Sequence, residues 1–191
     1  DEPTYALLAD WVPAAAPPLS TEDALAALGR RYFRAYGPAG AEDFAAWAGR
    51  ALGPARRTGA PIVGELAAVE IDGVPAWLAA DADAPLRAQP PWLRLLPAFD
   101  TYLLGYESRD LALAPRFAKR IQAGGGWIHP AVVVDGRVVG TWRQERRGKA
   151  LEVSVAPFEP LDSELRPQLE SEAADVGRFL GLEATLDVAE P

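Results

Sequence analysis

The sequence predicts an α+β protein in two parts, a helical module ending in a two-strand hairpin and then a small antiparallel β-domain, barrel-like or a meander sheet, with a C-terminal helix. Three observations predict it. Helical periodicity fills residues 21 to 60 and is followed by two short apolar runs around Asp72-Gly73. The stretch Gly124 to Leu161 reads as a three-strand meander with both turns written into it. Between them lies a run rich in Asp, Ala and Pro that has no periodicity. The expected segments are an arm over 1–19, the helical module over 20–80, a linker over 81–91 and the β-domain over 92–191.

In the arm, Tyr5, Leu7, Leu8, Trp11 and Val12 are apolar, and Pro13, Pro17 and Pro18 then stop any helix. Ser20 and Thr21 are cap candidates, with Glu22 and Asp23 suited to the positive end of a helix dipole. Leu25, Leu28, Tyr32, Phe33 and Tyr36 recur at spacings of three and four, which predicts a helix to about Ala35, ended by Gly37-Pro38. Glu42 to Ala48 predicts a second helix. A third helical segment from Pro54 carries Arg56 and Arg57, and Pro61 breaks it or opens a second short helix. Ala67 to Ile71 and Pro75 to Ala79 flank Asp72-Gly73, a pair suited to a tight hairpin turn. Three helices and a hairpin in this order are the order of a winged helix, whose third helix would enter a DNA major groove.

In the second part, Trp92 to Tyr106 predicts a buried strand entering a short turn, with Asp100 capping at Thr101. Ala131 to Val134 is apolar throughout, and Asp135-Gly136 supplies the positive φ angles of a two-residue turn. Val138, Gly140 and Trp142 then face one way and Val139, Thr141 and Arg143 the other. Leu151, Val153 and Val155 alternate with polar or small residues as a half-buried strand. A final helix capped by Asp162 or Ser163 is expected to bury Leu165, Leu169, Val176, Phe179 and Leu180 and to end at Gly181, with Leu182 to Val188 as an edge strand.

The chain has 191 residues and a formal charge of −8. That balance argues against a general nucleic-acid binder, because phosphate affinity comes mostly from Lys and Arg displacing counterions. Cysteine is absent and His129 is the single histidine, which excludes a disulfide framework, a thiolate nucleophile and Cys- or His-rich metal sites. No cofactor motif is present: the triplet Gly124 to Gly126 has no Lys-Ser or Lys-Thr after it. No apolar run approaches the roughly 20 residues of a membrane span, so a cytoplasmic protein with no membrane partner is expected. The chain opens at Asp1 and lacks methionine, and a piece of a longer protein is expected.

Against the acidic background, Arg143, Arg146, Arg147 and Lys149 surround one Glu145 in the connection between the last two meander strands. Such a tip fits phosphate contact along a groove; the alternative is a solvated turn. Arg30 and Arg34 share a helix face and, with Arg56 and Arg57, form a second candidate contact, the alternative being pairs with acids such as Glu22 or Asp23. His129 fits a hydrogen-bonded structural histidine better than a general base. Asp100, Glu107 and Asp110 are the carboxylates of any acid-base chemistry. Trp92, Phe99, Tyr102, Tyr106, Trp127 and Trp142 form a conceivable stacking platform, but aromatics in apolar runs predict core, and most are expected to be buried.

The blocks LGRRYFRAYGPAGAEDFAAWAG, RLLPAFDTYLLGY and VDGRVVGTWR resemble the bacterial winged helix DNA-binding domain family that includes the AlkZ-type DNA glycosylases of crosslink repair. The resemblance covers nearly the whole chain and places it on the C-terminal half of fuller members. It implies double-stranded DNA as partner, together with an upstream part of the same protein that carries the catalytic Gln-x-Gln or Gln-x-Asp pair. Gln89, Gln122, Gln144 and Gln168 have neither Gln nor Asp two residues on. The expectation is therefore no catalytic residue and no glycosylase activity in this chain alone, in a parent that can be a glycosylase, a hydrolase. The rival reading is a non-catalytic protein-interaction module whose winged helix does not bind DNA.

Overall fold

The computed structural model describes residues 4–11, 19–51, 53, 60–81, 92–122 and 124–191. The chain divides into two compact units, one formed by Asp1–Ala41 with Arg50–Ala82 and the other by Glu42–Gly49 with Asp83–Pro191.

The first unit contains α1 (Leu8–Trp11), α2 (Thr21–Tyr36), a 3-10 turn (Ala60–Glu65) and the strands β1 (Leu66–Ile71) and β2 (Val74–Ala79). α2 begins where expected because the Ser20 hydroxyl accepts the Asp23 backbone N–H at 3.1 Å and donates to the Asp23 carboxylate at 2.7 Å. Its buried face is Ala26, Gly29, Tyr32 and Phe33. β1 and β2 pair antiparallel through the Asp72-Gly73 turn, whose φ values of 50° and 82° are those of a type I′ hairpin. Ala39 extends this ribbon by exchanging two backbone hydrogen bonds with Trp77, at 3.0 and 2.9 Å. Pro61 lies in the 3-10 turn. The expected third helix with Arg56 and Arg57 falls on 54–59, outside the described residues.

The second unit gathers α3 (Ala41–Trp47, all but its first residue), β3 (Leu93–Leu96), α4 (Thr101–Leu104), a 3-10 turn (Pro115–Phe117), α5 (Ala118–Ile121), β4 (Ala131–Val134), β5 (Arg137–Arg147), β6 (Ala150–Pro157), α6 (Arg166–Leu180) and β7 (Glu183–Val188). The five strands form one sheet in the order β3-β4-β5-β6-β7. The first four run antiparallel, but β7 lies parallel to β6. The expected purely antiparallel sheet is thus corrected to a mixed one, and among the described residues it is open rather than a closed barrel. The cause is the connection: a parallel neighbour needs a crossover. α6 is that crossover, and Gly181 at φ 68° turns the chain directly into β7.

Both faces of the sheet are covered where β4 runs. One core joins Leu93, Leu95, Val132, Trp142, Leu151, Val153 and Val155 to Leu169 and Ala173 of α6. The other joins Ala131, Val133 and Val138 to Leu103, Leu113, Ile121, Ile128 and Phe158. This explains why β4 is apolar throughout whereas β6 alternates, buried at Leu151, Val153, Val155 and Pro157 and half-buried between them. The edge strand β3 is shielded: the Leu95 N–H donates to the Glu172 carboxylate of α6 at 3.0 Å.

Two burial expectations are corrected. α6 turns Leu169, Ala173 and Gly177 inward at spacings of four, leaving Phe179 89% exposed and Leu180 42% exposed. Ten residues of helix place Phe179 about 80° around from Leu169, off the buried stripe. Of the six aromatics, most of which were expected to be buried, Trp92, Phe99 and Trp127 stand exposed, while Trp142 is buried.

Gly177 is where α6 touches the chain that follows it. A Cβ there would stand 2.7 Å from the Leu182 carbonyl oxygen and 2.8 Å from the Ala184 Cβ. Gly177→Ala is therefore expected to destabilise the chain by about 1–3 kcal/mol, read as a lowered urea midpoint at unchanged slope.

Candidate nucleic-acid interface

The hairpin β5–β6 leaves the core after Trp142, and Arg143 to Arg147 are all exposed. The sequence reading placed Arg143 to Lys149 in a connection. The structure shortens that connection to Gly148 and Lys149, because pairing continues to Arg147 opposite Ala150. The three arginines accordingly stand on a strand. Strand alternation puts Arg143, Glu145 and Arg147 on one face and Gln144 and Arg146 on the other.

Register also sets the charge pattern. Glu145 lies directly opposite Glu152, a like-charge pair that is unfavourable by itself. Arg147 answers both carboxylates, at 3.0 Å to Glu145 and 3.4 Å to Glu152. Arg146 donates from Nε to the Gly148 carbonyl at 3.1 Å. Among the described residues, no ion pair or hydrogen bond engages the side chains of Arg143 or Lys149. Of the hairpin's described cations, these two are open to an external anion.

Arg143 also borders a cleft of about 530 Å³ whose lining includes Arg120, His129, Ser154 and Asp187. Register builds its floor, since Arg143 pairs with Ser154 and Ser154 with Asp187 across three strands. His129 enters from the segment before β4, held by its backbone N–H donating to the Ile121 carbonyl at 2.9 Å. Arg120 arrives from α5, its guanidinium 4.5 Å from the Phe158 ring centroid. The cleft thus joins three basic side chains to one carboxylate. Sequence reading did not single out Arg120, because a four-residue helix shows no periodicity from which a face can be read. The apposition of His129 and Arg143 is a product of the sheet.

The second candidate cluster is differently placed. Arg30 binds the Glu65 carboxylate bidentately, Nε at 2.8 Å and Nη2 at 2.8 Å, and Arg34 meets Asp81 at 2.7 Å. Their partners are these distant acids and not Glu22 or Asp23. Together they border a cavity of about 290 Å³ with Leu66, Ala79 and Ala80. The hydrogen bond from Arg30 holds the Glu65 carboxyl below its ordinary range against the opposing effect of desolvation, and Arg34 does the same for Asp81. Arg56 and Arg57 lie outside the described residues.

A carboxylate whose folded pKa is depressed adds stability that is present above its unfolded pKa and is lost as pH falls through the folded value. In an NMR-monitored acid titration, Glu65 and Asp81 are expected to protonate below the ordinary range for their residue types. Arg30→Ala should return Glu65 to the ordinary range and leave Asp81 in place.

A profile of the family described as "DNA glycosylase AlkZ-like" matches residues 1–179. The chain is 36% identical over 161 residues to the "Interstrand DNA cross-link repair glycosylase" of Streptomyces sahachiroi, a match that takes in 80% of this chain and 42% of that protein. In three dimensions it is similar to the solved structure of Streptomyces sahachiroi DNA glycosylase AlkZ, with a TM-score of 0.79 and 29% identity over 95% of this chain and 50% of that one. The chain spans less than half the length of the curated relative it matches. With an α+β fold similar to that glycosylase and basic side chains gathered on one hairpin and its neighbouring cleft, the chain belongs to the AlkZ-like DNA glycosylase family.

Proposed function

We propose that this chain is the DNA-gripping portion of an AlkZ-like repair glycosylase, clamping double-stranded DNA so that base-excising groups outside these residues reach the lesion. The observation that carries it is the β5–β6 hairpin, where Arg143 and Lys149 remain available and Arg143 continues into the cleft beside Arg120 and His129. An exposed strand pair of this kind can track a groove and neutralise phosphates without reading bases. Arg146 and Arg147 shape the hairpin tip and add positive potential. In the same reading the first unit is a winged helix that orients the duplex, and Arg30 and Arg34 brace it through Glu65 and Asp81. No glutamine of the sequence stands in the Gln-x-Gln or Gln-x-Asp spacing, which supports a reading in which base excision is carried by residues outside this chain. In this reading the protein works on double-stranded DNA in the cytoplasm.

The net charge of −8 and the number of arginines tied to local acids favour the rival reading, a protein-interaction module. Anisotropy of a labelled duplex, titrated at several salt concentrations, separates the two. Salt-dependent binding is expected, with Arg143→Ala and Lys149→Ala each weakening it and each reducing the salt slope by about 1. Arg30→Ala and Arg34→Ala should leave that slope unchanged. Absence of binding at low salt would overturn the DNA reading in favour of the protein module.

A further inference from the structure

Phe99 breaks a local rule. It occupies a turn position at φ 58°, a left-handed conformation that is an outlier for a bulky residue and one normally filled by glycine or asparagine. Such an outlier persists only where its surroundings hold it, yet Phe99 is 42% exposed. Its ring meets that of Trp127 edge to face, with centroids 4.9 Å apart, and Trp127 is itself 51% exposed. Trp127 is presented by a loop equally unusual in backbone: Gly124, Gly125 and Gly126 all have positive φ, and the Trp127 N–H closes the loop onto the Gly124 carbonyl at 3.0 Å. A strained residue before α4 and a left-handed glycine loop after α5 therefore converge to hold two rings together on the surface. A bent pair of exposed π-faces with, among the described residues, no cation over either ring suits a flat, uncharged, polarisable ligand better than a phosphate.

We infer that Phe99 and Trp127 form a stacking surface for an unpaired nucleobase, so that the chain distinguishes DNA with a displaced base from intact duplex. The inference rests on the DNA-gripping reading and extends it: the cations hold backbone, and the aromatic pair detects disrupted stacking. Backbone strain is tolerated at such a place because the rings must be fixed before the base arrives.

The full chain is titrated by anisotropy with an intact duplex and with the same duplex carrying a single unpaired adenine, and tryptophan fluorescence is recorded alongside. Wild-type protein should prefer the bulged duplex and lose tryptophan emission on binding it. Phe99→Gly, which accepts a φ of 58° without strain, and Trp127→Ala should each lose about tenfold of that preference, within the range of base–aromatic stacking. Both should keep the wild-type salt slope. Trp127→Phe should keep most of the preference while losing the emission change. Far-UV circular dichroism and a thermal melt establish that the variants are folded.

Equal binding of both duplexes by wild type would overturn the inference while leaving the DNA reading intact. So would either folded single variant that retains the full preference. A change of oligomeric state in the variants by light scattering, with preference unaltered, would make the pair a protein contact. No binding of the intact duplex or the bulged one would remove the DNA-gripping reading and this inference with it.

Discussion

The buried indole of Trp142 is the point from which the second unit is organised. Its Nε1 donates to the Leu96 carbonyl at 2.7 Å, bridging β5 to the edge strand β3 across β4, and its ring belongs to the core under α6. A buried indole without that acceptor would carry an unsatisfied donor, so the bond holds β5 in one register. From there the chain diverges in character. Toward β4 it is covered on both faces; toward the hairpin tip it is covered on neither.

That single register explains the site. Paired with β6, it sets Arg143 beside Ser154 and Glu145 against Glu152, and the β6–β7 pairing adds Asp187 beside Ser154. Arg147 is then drawn into neutralising a repulsion created by the pairing itself, and Arg143 is left facing the cleft. A shift of one residue would exchange these roles, because each side chain would cross to the other face. An acidic protein can thus present local positive potential. Some of its carboxylates are engaged in pairs such as Glu65 with Arg30 and Asp81 with Arg34, both exposed and each worth little to stability.

Much of the fold was legible in the sequence because its cues are local. Ser20 as a cap, the positive-φ turns at Asp72-Gly73 and Asp135-Gly136, the alternation of Leu151, Val153 and Val155, and Gly181 as the end of a helix all depend on residues within a turn or two of one another. The same cues predicted Phe179 as core, and they failed there because burial depends on what lies opposite, which in this case is Ala184 and Leu182 facing Gly177 and not Phe179. The expectation that most of the six aromatics are buried fails at Trp92, Phe99 and Trp127 for the same reason: aromatic residues in apolar runs are usually covered, but among the described residues no element covers these.

By itself the sequence determined the order of helices and strands, the two long hairpins and the concentration of cations near Gly148, since propensity, capping and turn chemistry are properties of neighbouring residues. Only the tertiary structure decided that β7 runs parallel to β6, that Arg30 and Arg34 are bound to Glu65 and Asp81, and that Arg120 and His129 stand with Arg143. Each of these is a pairing between residues far apart in the chain. Such pairings follow from how the packed faces of α6 and the sheet bring distant segments together, which no local window of the sequence contains.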